Sequence, residues 1–236
     1  MSLKFFKKIF ANVCIVLVIS LVSLAAFMAP AGVVATGVSP IYKGNGGNKV
    51  CLMVNVYWGD EYLDDMLKIF DKHNVKTTFF VGGCWAAKNE RRLIEIHEKG
   101  HEIANHGYFH KDHKKLNAAR NLEEISACHN LVKNLTGVEM NLFSPPSASF
   151  SQITLDVAQK SGYTTVMYSR DTIDWRDKDQ ALIKKRATKN ITGGELVLMH
   201  PTAATVAALD DIISTIEDKG LIVTTVSDVL ESADRR

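Results

Sequence analysis

The distribution of apolar residues follows two different periods from residue 50 onward. Short runs of aliphatic, β-branched and aromatic residues are typical of buried strands, and longer segments with apolar residues every three or four positions are typical of amphipathic helices. The strand-type segments are VCLMVNV, VKTTFFVGG, HEIANH, YTTVMYS, ELVLMH and LIVTTV. The helix-type segments that alternate with them are EYLDDMLKIFDKHN, RRLIEIHEKG, LEEISACHNLVKNLTG, ITLDVAQKSG, DQALIKKRATKN and TVAALDDIISTIEDKG.

This alternation predicts an α/β fold in which parallel strands are joined by crossover helices. A (β/α) barrel and an open sheet both fit the pattern, and in either architecture the functional site lies beyond the carboxyl ends of the strands. Polar residues occupy these ends along the chain. They are Asn55 after the first strand, His106 after the third, Asp171 and Asp174 after YTTVMYS, and His200 at the end of ELVLMH. We therefore expect them on one rim of the fold.

The first 36 residues differ from the rest of the chain. A start with three lysines is followed by a long apolar run, and no charged residue stands between Lys8 and Lys43. Ala29 and Ala31 form an A-x-A arrangement after the run. This pattern predicts an export signal, and its length leaves open a retained membrane anchor. We expect an exported protein in which a linker at 37–49 leads to one domain at 50–234, located outside the cell, in the cell wall, in a spore compartment or anchored with the domain outward.

Charge and cysteine content exclude several classes of protein. The chain has a formal net charge of +2, which becomes −1 without the three lysines of the first segment. No basic run argues for binding to nucleic acid. Beyond the first segment, Cys51, Cys84 and Cys128 lack metal-type spacing and are too few for a disulfide scaffold.

The stretch NHGYFHKDH carries three histidines. His106 and His110 lie four residues apart and can converge on one ion if they share a helical turn, since imidazole is a common ligand for zinc. A solvated polar loop is the alternative, and we assign His113 to it. His200 is either a cap at the strand end or a general acid, because the pKa of histidine lies near neutrality.

The segment DTIDW and the tryptophans allow two interpretations each. Asp171 and Asp174 can orient a histidine, ligate a metal or cap the next helix. Trp58, Trp85 and Trp175 can form a wall that stacks on sugar rings, although core packing is the more common role of each.

Five blocks in order carry a resemblance to a known family: MVNVYWGD, NHGYFH, FSPPSASF, DTIDW and LVLMHP. They resemble the polysaccharide deacetylases with a nodulation-type homology domain, carbohydrate esterase family four, and in particular a divergent branch seen in spore-forming bacteria. The resemblance covers nearly all of residues 50–230. It implies a distorted (β/α) barrel, often with seven strands, that removes acetyl groups from a polysaccharide. A divalent metal, commonly zinc, then polarises the acetyl carbonyl, an Asp takes a proton from water, and a His protonates the leaving amine.

Several positions of the family pattern are kept. The resemblance implies that His106 and His110 are metal ligands and that His200 is the catalytic acid. It also places Asp174 with the catalytic residues. The candidate substrate-binding residues are Pro145, Pro146, Trp58 and Trp175.

The first and third blocks depart from the pattern. Asn55 stands where the family has its catalytic Asp, and an amide has no useful basicity. Val56 stands at the position of a metal-ligating Asp, and Ser144 replaces the Arg that positions the base. Asp60 or Glu61 would have to supply a third ligand from a shifted loop.

These features support three hypotheses. The first is a hydrolase with a degenerate first motif that acts, weakly, on the N-acetyl groups of a cell-wall or spore-wall glycan such as peptidoglycan or a chitin-like polymer. The second is a catalytically inactive relative that still binds glycan. The third is a structural partner in a cell wall or spore coat.

Overall fold

The computed structural model describes residues 37–45 and 47–231. The predicted signal or anchor at 1–36 lies outside the described residues. Within the described part of the chain, no helix has the length and apolar character needed to cross a bilayer.

The backbone forms one predominantly parallel sheet. Its strands are β1 (Lys49–Val56), β2 (Thr78–Val81), β3 (Glu102–Asn105), β4 (Leu142–Phe143), β5 (Thr164–Thr165), β6 (Arg170–Asp171), β7 (Leu196–Met199) and β8 (Ile222–Val223). Seven of them pair in the order β5-β4-β3-β2-β1-β7-β6, and β8 pairs in parallel with the first residues of β1. The seven-strand path curls into a half-barrel, which is consistent with a distorted barrel.

Helices connect the strands, as the apolar spacing predicts. They are α1 (Leu63–Lys72), α2 (Gly83–Lys88), α3 (Glu90–Glu98), α4 (Ala118–Thr136), α5 (Gln152–Lys160), α6 (Gln180–Thr188), α7 (Ala203–Glu217) and α8 (Val226–Glu231). Local signals fix their ends. The Ser151 hydroxyl and Thr154 form a capping box at the start of α5, and Gly137 ends α4 with a positive φ of 76°.

Alternate residues of the strands belong to two separate apolar layers. On β1, Val54 and Val56 pack in the layer shared with the helices, whereas Cys51 and Met53 pack in a smaller layer on the inner face of the curl. This division follows from the two-residue period of a strand.

Helix α8 lies at the amino-terminal ends of the central strands. Val226 and Val229 belong to the inner apolar layer. The Val226 amide donates to Thr78 Oγ1 at 2.7 Å, and the hydroxyl of Ser227 donates to the Glu102 carboxylate. Thr78 and Glu102 are the first residues of β2 and β3, so this helix covers the end of the curl opposite to the rim.

The inner rows of side chains become polar as they reach the carboxyl ends of the strands. Asn55 continues the row of Met53, and His106 continues the row of Ala104. Ser144 follows Leu142, and His200 follows Leu198, in the same two-residue register. Strand alternation therefore brings Asn55, His106, Ser144 and His200 to one rim.

We expect the substitution Val56→Asp to lower the free energy of unfolding by at least about 3 kcal/mol, because it places a carboxylate in the helix-side apolar layer. Val56 is fully buried there. Denaturant unfolding checks this value, with Asn55→Asp as the matched control, since that carboxylate faces the rim. Equal losses in the two variants would contradict the assignment of the two layers.

Candidate functional site

A cleft of about 580 Å³ opens at the carboxyl ends of the strands. Its lining residues are Asn55, Trp58, His106, His110, Ser144, Pro145, Ser147, Ala148, Tyr168, Asp171, Trp175, Leu198 and His200. Nine of the residues singled out in the sequence therefore meet in one place although they come from five separate blocks.

His106 is held in one orientation and one tautomer. Its side chain is buried, and Nδ1 donates a hydrogen bond to the Ser144 carbonyl oxygen at 2.7 Å. Nε2 is then an acceptor, and the Asn55 Nδ2 amide lies 3.5 Å from it. Burial lowers the pKa of His106 to about 3, with His110 nearby as a further cause. The ring is therefore neutral at physiological pH.

The two polar side-chain atoms of Asn55 have different surroundings. Its Nδ2 faces the His106 ring, and its Oδ1 is buried with no hydrogen-bond partner among the described residues. Because His106 Nε2 is an acceptor, it is the amide nitrogen that belongs beside it. An N–H group thus points at the lone pair that a metal ion would need.

His110 lies beside His106 on the loop that follows β3. The two ring centroids are 5.2 Å apart, and the ring of Tyr57 packs against His110 at 4.7 Å. His110 has a positive φ of 54°, which is uncommon for a residue with a side chain. Partial burial lowers its pKa.

The loop that carries His110 is held by a carboxylate that sequence reasoning did not identify. Glu124 on α4 is buried, and its Oε2 accepts hydrogen bonds from the backbone amides of Tyr108 at 3.0 Å and Phe109 at 2.7 Å. No motif marks Glu124, because its role depends on contacts with a loop fifteen residues away.

The donor set at the two imidazoles is incomplete for a metal ion. Among the described residues, no group of three or more His, Cys, Asp or Glu side chains is placed to hold one. Asp60 and Glu61 are exposed at the start of a short 3-10 helix and do not line the cleft. As the side chains stand, with the Asn55 amide turned towards His106, the site does not fit a catalytic metal.

His200 is hydrogen-bonded to a carboxylate that is itself held by further donors. Its Nδ1 lies 2.8 Å from Asp174 Oδ1, and its backbone amide donates to Asp174 Oδ2 at 2.6 Å. Thr205 Oγ1 also donates to Asp174 Oδ2 at 2.6 Å. Asp174 is buried behind the histidine and does not line the cleft. Of the roles open to this carboxylate, it takes that of orienting a histidine.

The tryptophans and prolines fall into two groups. Trp58 and Trp175 line the cleft and are 43% and 56% exposed, so the expectation of core packing is wrong for both. It is correct for Trp85, which is buried. Pro145 and Pro146 are both buried, and of the two only Pro145 lines the cleft.

His113 lies outside the cleft, but the expectation of a solvated loop is wrong. The residue is fully buried, and its Nδ1 lies 2.8 Å from Asn121 Oδ1. The residues next to His113 in the sequence are polar, yet its ring packs between a loop and α4. A lysine-rich neighbourhood gives no signal of that burial.

Comparison with known proteins identifies a family and several relatives. A model of the polysaccharide deacetylase family matches residues 43–166. The uncharacterized protein YlxY of Bacillus subtilis is 39% identical over 193 residues, which cover 81% of this chain and 60% of YlxY. The peptidoglycan-N-acetylmuramic acid deacetylase PdaA of Bacillus subtilis is 28% identical over 201 residues, covering 83% of this chain and 76% of PdaA.

A solved structure matches the fold closely. Wild-type BA3943 from Bacillus anthracis, described as a CE4 family pseudoenzyme, is 34% identical with a TM-score of 0.79, covering 81% of this chain and 68% of that one. A mutant of BA3943 described as having restored enzymatic activity gives the same TM-score. Together with the family model, which matches more than half of the sequence, these similarities show that the chain belongs to the polysaccharide deacetylase family.

Proposed function

We propose that this domain binds a cell-wall glycan in its cleft and that its hydrolysis of N-acetyl groups is weak. The observation that carries the proposal is the contact between the Asn55 amide and His106 Nε2. It puts a neutral N–H donor where the family has the carboxylate that takes a proton from water.

The loss of base and of its partner is internally consistent. A positioned general base contributes about 10²–10⁴-fold to rate, and an amide cannot replace it. Ser144, buried beside His106, stands where the family has an Arg. A buried guanidinium without its carboxylate would be an unpaired charge, so the two replacements belong together.

The cleft keeps side chains that suit contact with a glycan. Two exposed indoles, Trp58 and Trp175, border the same cleft as His200. Exposed aromatic faces suit the apolar faces of sugar rings, and His200 retains the carboxylate partner that a proton donor needs. PdaA supports a peptidoglycan-type ligand, and BA3943 supports low activity.

The proposal includes the export of the protein and the finer description of its fold. We infer that residues 1–36 direct export, as a cleaved signal or a retained anchor, and that the curled sheet is a distorted seven-stranded barrel. A glycan outside the cell is the partner that such a protein would meet.

We expect wild-type protein to bind zinc weakly and Asn55→Asp to raise the affinity more than about tenfold, since a carboxylate replaces an N–H donor beside His106. Calorimetric titration of zinc measures this. Asn55→Ala is the matched control, because it removes the amide without adding a ligand. A gain that persists in Asn55→Asp with His106→Gln would show that zinc binds elsewhere.

We expect acetate release from chitin oligomers or peptidoglycan to be about 10²–10⁴-fold slower than with a relative that keeps the paired Asp. Asn55→Asp with Ser144→Arg should raise both acetate release and zinc affinity, and adding Val56→Asp should raise neither further, because that side chain lies in the helix-side apolar layer. Asn55→Asp with Ser144→Arg tests the base alone without the buried carboxylate. Fast release by wild type that is abolished by Glu61→Gln or Asp60→Asn would mean that the base has moved.

We expect Trp175→Ala to weaken the binding of an N-acetylglucosamine tetramer about five- to tenfold, because the indole offers a stacking face worth about 1 kcal/mol. Titration followed by calorimetry measures the change. Phe109→Ala is the control, since Phe109 is also half exposed but does not line the cleft. Equal effects of the two substitutions would place the glycan elsewhere.

A further inference from the structure

One of the residues that line the cleft is an acidic residue, and none is a lysine or an arginine. Of its lining residues, Asp171 alone belongs to the set of Asp, Glu, Lys and Arg. The position that the family fills with a cation is Ser144. A carboxylate without a cation beside it makes the cleft attractive to positively charged ligands.

Asp171 is fixed in place and forms no ion pair among the described residues, although its charge acts on Arg176 over a longer distance. Its Oδ1 accepts a hydrogen bond from the Ile173 amide at 2.8 Å, in a turn where Ile173 has a positive φ of 55°. Its Oδ2 has no hydrogen-bond partner in the described part of the chain, and no Lys, Arg or His there pairs with the carboxylate. Arg176, which is close in sequence, is instead bound to Asp177 through two hydrogen bonds of 2.9 and 3.0 Å.

The three imidazoles do not compensate this charge. His106 donates through Nδ1 and faces an amide N–H at Nε2, so its geometry requires the neutral ring. His200 Nδ1 lies 2.8 Å from Asp174 Oδ1, so its carboxylate partner is Asp174 and not Asp171. His110 packs against Tyr57 and His106 and forms no ion pair with Asp171 among the described residues.

The ligand chemistry follows from what the cleft has lost and kept. An acetamide is a neutral group whose carbonyl would be held by a complete metal centre, and no such group of ligands exists among the described residues. An ammonium offers three N–H donors and a positive charge, which form charge-assisted hydrogen bonds with a carboxylate. Indole rings also attract cations to their faces, although His200 already stacks on Trp58 and the Arg176 guanidinium lies 5.9 Å from the centre of the Trp175 ring.

We propose that the cleft prefers amino-sugar polymers with free amino groups over their N-acetylated forms, and that Asp171 sets this preference. The inference rests on the proposed function, because it assumes that the cleft binds glycan. It makes the domain a receptor for the product of a deacetylase, and the reaction that supplies its ligand is amide hydrolysis on the same class of glycan.

The test compares a glucosamine tetramer with an N-acetylglucosamine tetramer, by calorimetry on the full chain in mild detergent at slightly acidic pH. We expect the free-amine tetramer to bind about fivefold more tightly at low salt, and the difference to shrink as salt is added. Asp171→Asn should remove the difference while Asp171→Glu keeps part of it. Asp156→Asn should leave it unchanged, because Asp156 is a half-buried carboxylate on α5 that does not line the cleft.

The outcomes separate the two proposals. Equal binding of the tetramers, tighter binding of the acetylated one, or a preference that survives Asp171→Asn overturns the role of Asp171 and leaves glycan binding standing. Failure of both tetramers to bind overturns glycan recognition and this inference together. Thermal unfolding of Asp171→Asn checks that its fold is retained, which is expected because Asn can still accept from the Ile173 amide.

Discussion

The 2.7 Å hydrogen bond from His106 Nδ1 to the Ser144 carbonyl joins the ends of β3 and β4 at the rim. It fixes the tautomer of a buried imidazole and turns Nε2 towards Asn55. Whether a metal ion can bind at this end of the cleft depends on which side chain faces that nitrogen. With a carboxylate there, the ring would share a cation, whereas the Asn55 Nδ2 that lies 3.5 Å away is a donor and not a metal ligand.

One exchange of side-chain chemistry therefore changes the site without changing the frame. The strands, the loop held by Glu124 and the pair formed by His200 and Asp174 need neither a metal nor a base for their stability, since their contacts are within the chain. The frame can therefore persist with or without a reactive centre. What is left is a cleft with aromatic walls and one carboxylate.

The sequence was sufficient for features governed by period and order. Strand alternation and the rim position of Asn55, His106 and His200 follow from residues two apart along predicted strands. The choice between a barrel and an open sheet did not follow, because curl depends on how strands of two to eight residues pair. The burial of His113 and the exposure of Trp58 could not be predicted either, because both depend on neighbours that are distant in sequence. The same holds for the role of Glu124.

The contact between Trp58 and His200 restricts how a ligand can approach. The two rings are nearly parallel, at 7°, with centroids 5.7 Å apart. One face of the indole is therefore taken by the imidazole, and a sugar can stack only on the other. A ring bound there would be separated from His200 by the thickness of the indole, so a glycan unit stacked on Trp58 and a unit touching His200 must be different residues of the same polymer. A ligand that makes both contacts at once is therefore an oligomer, with one unit on Trp58 and another at His200.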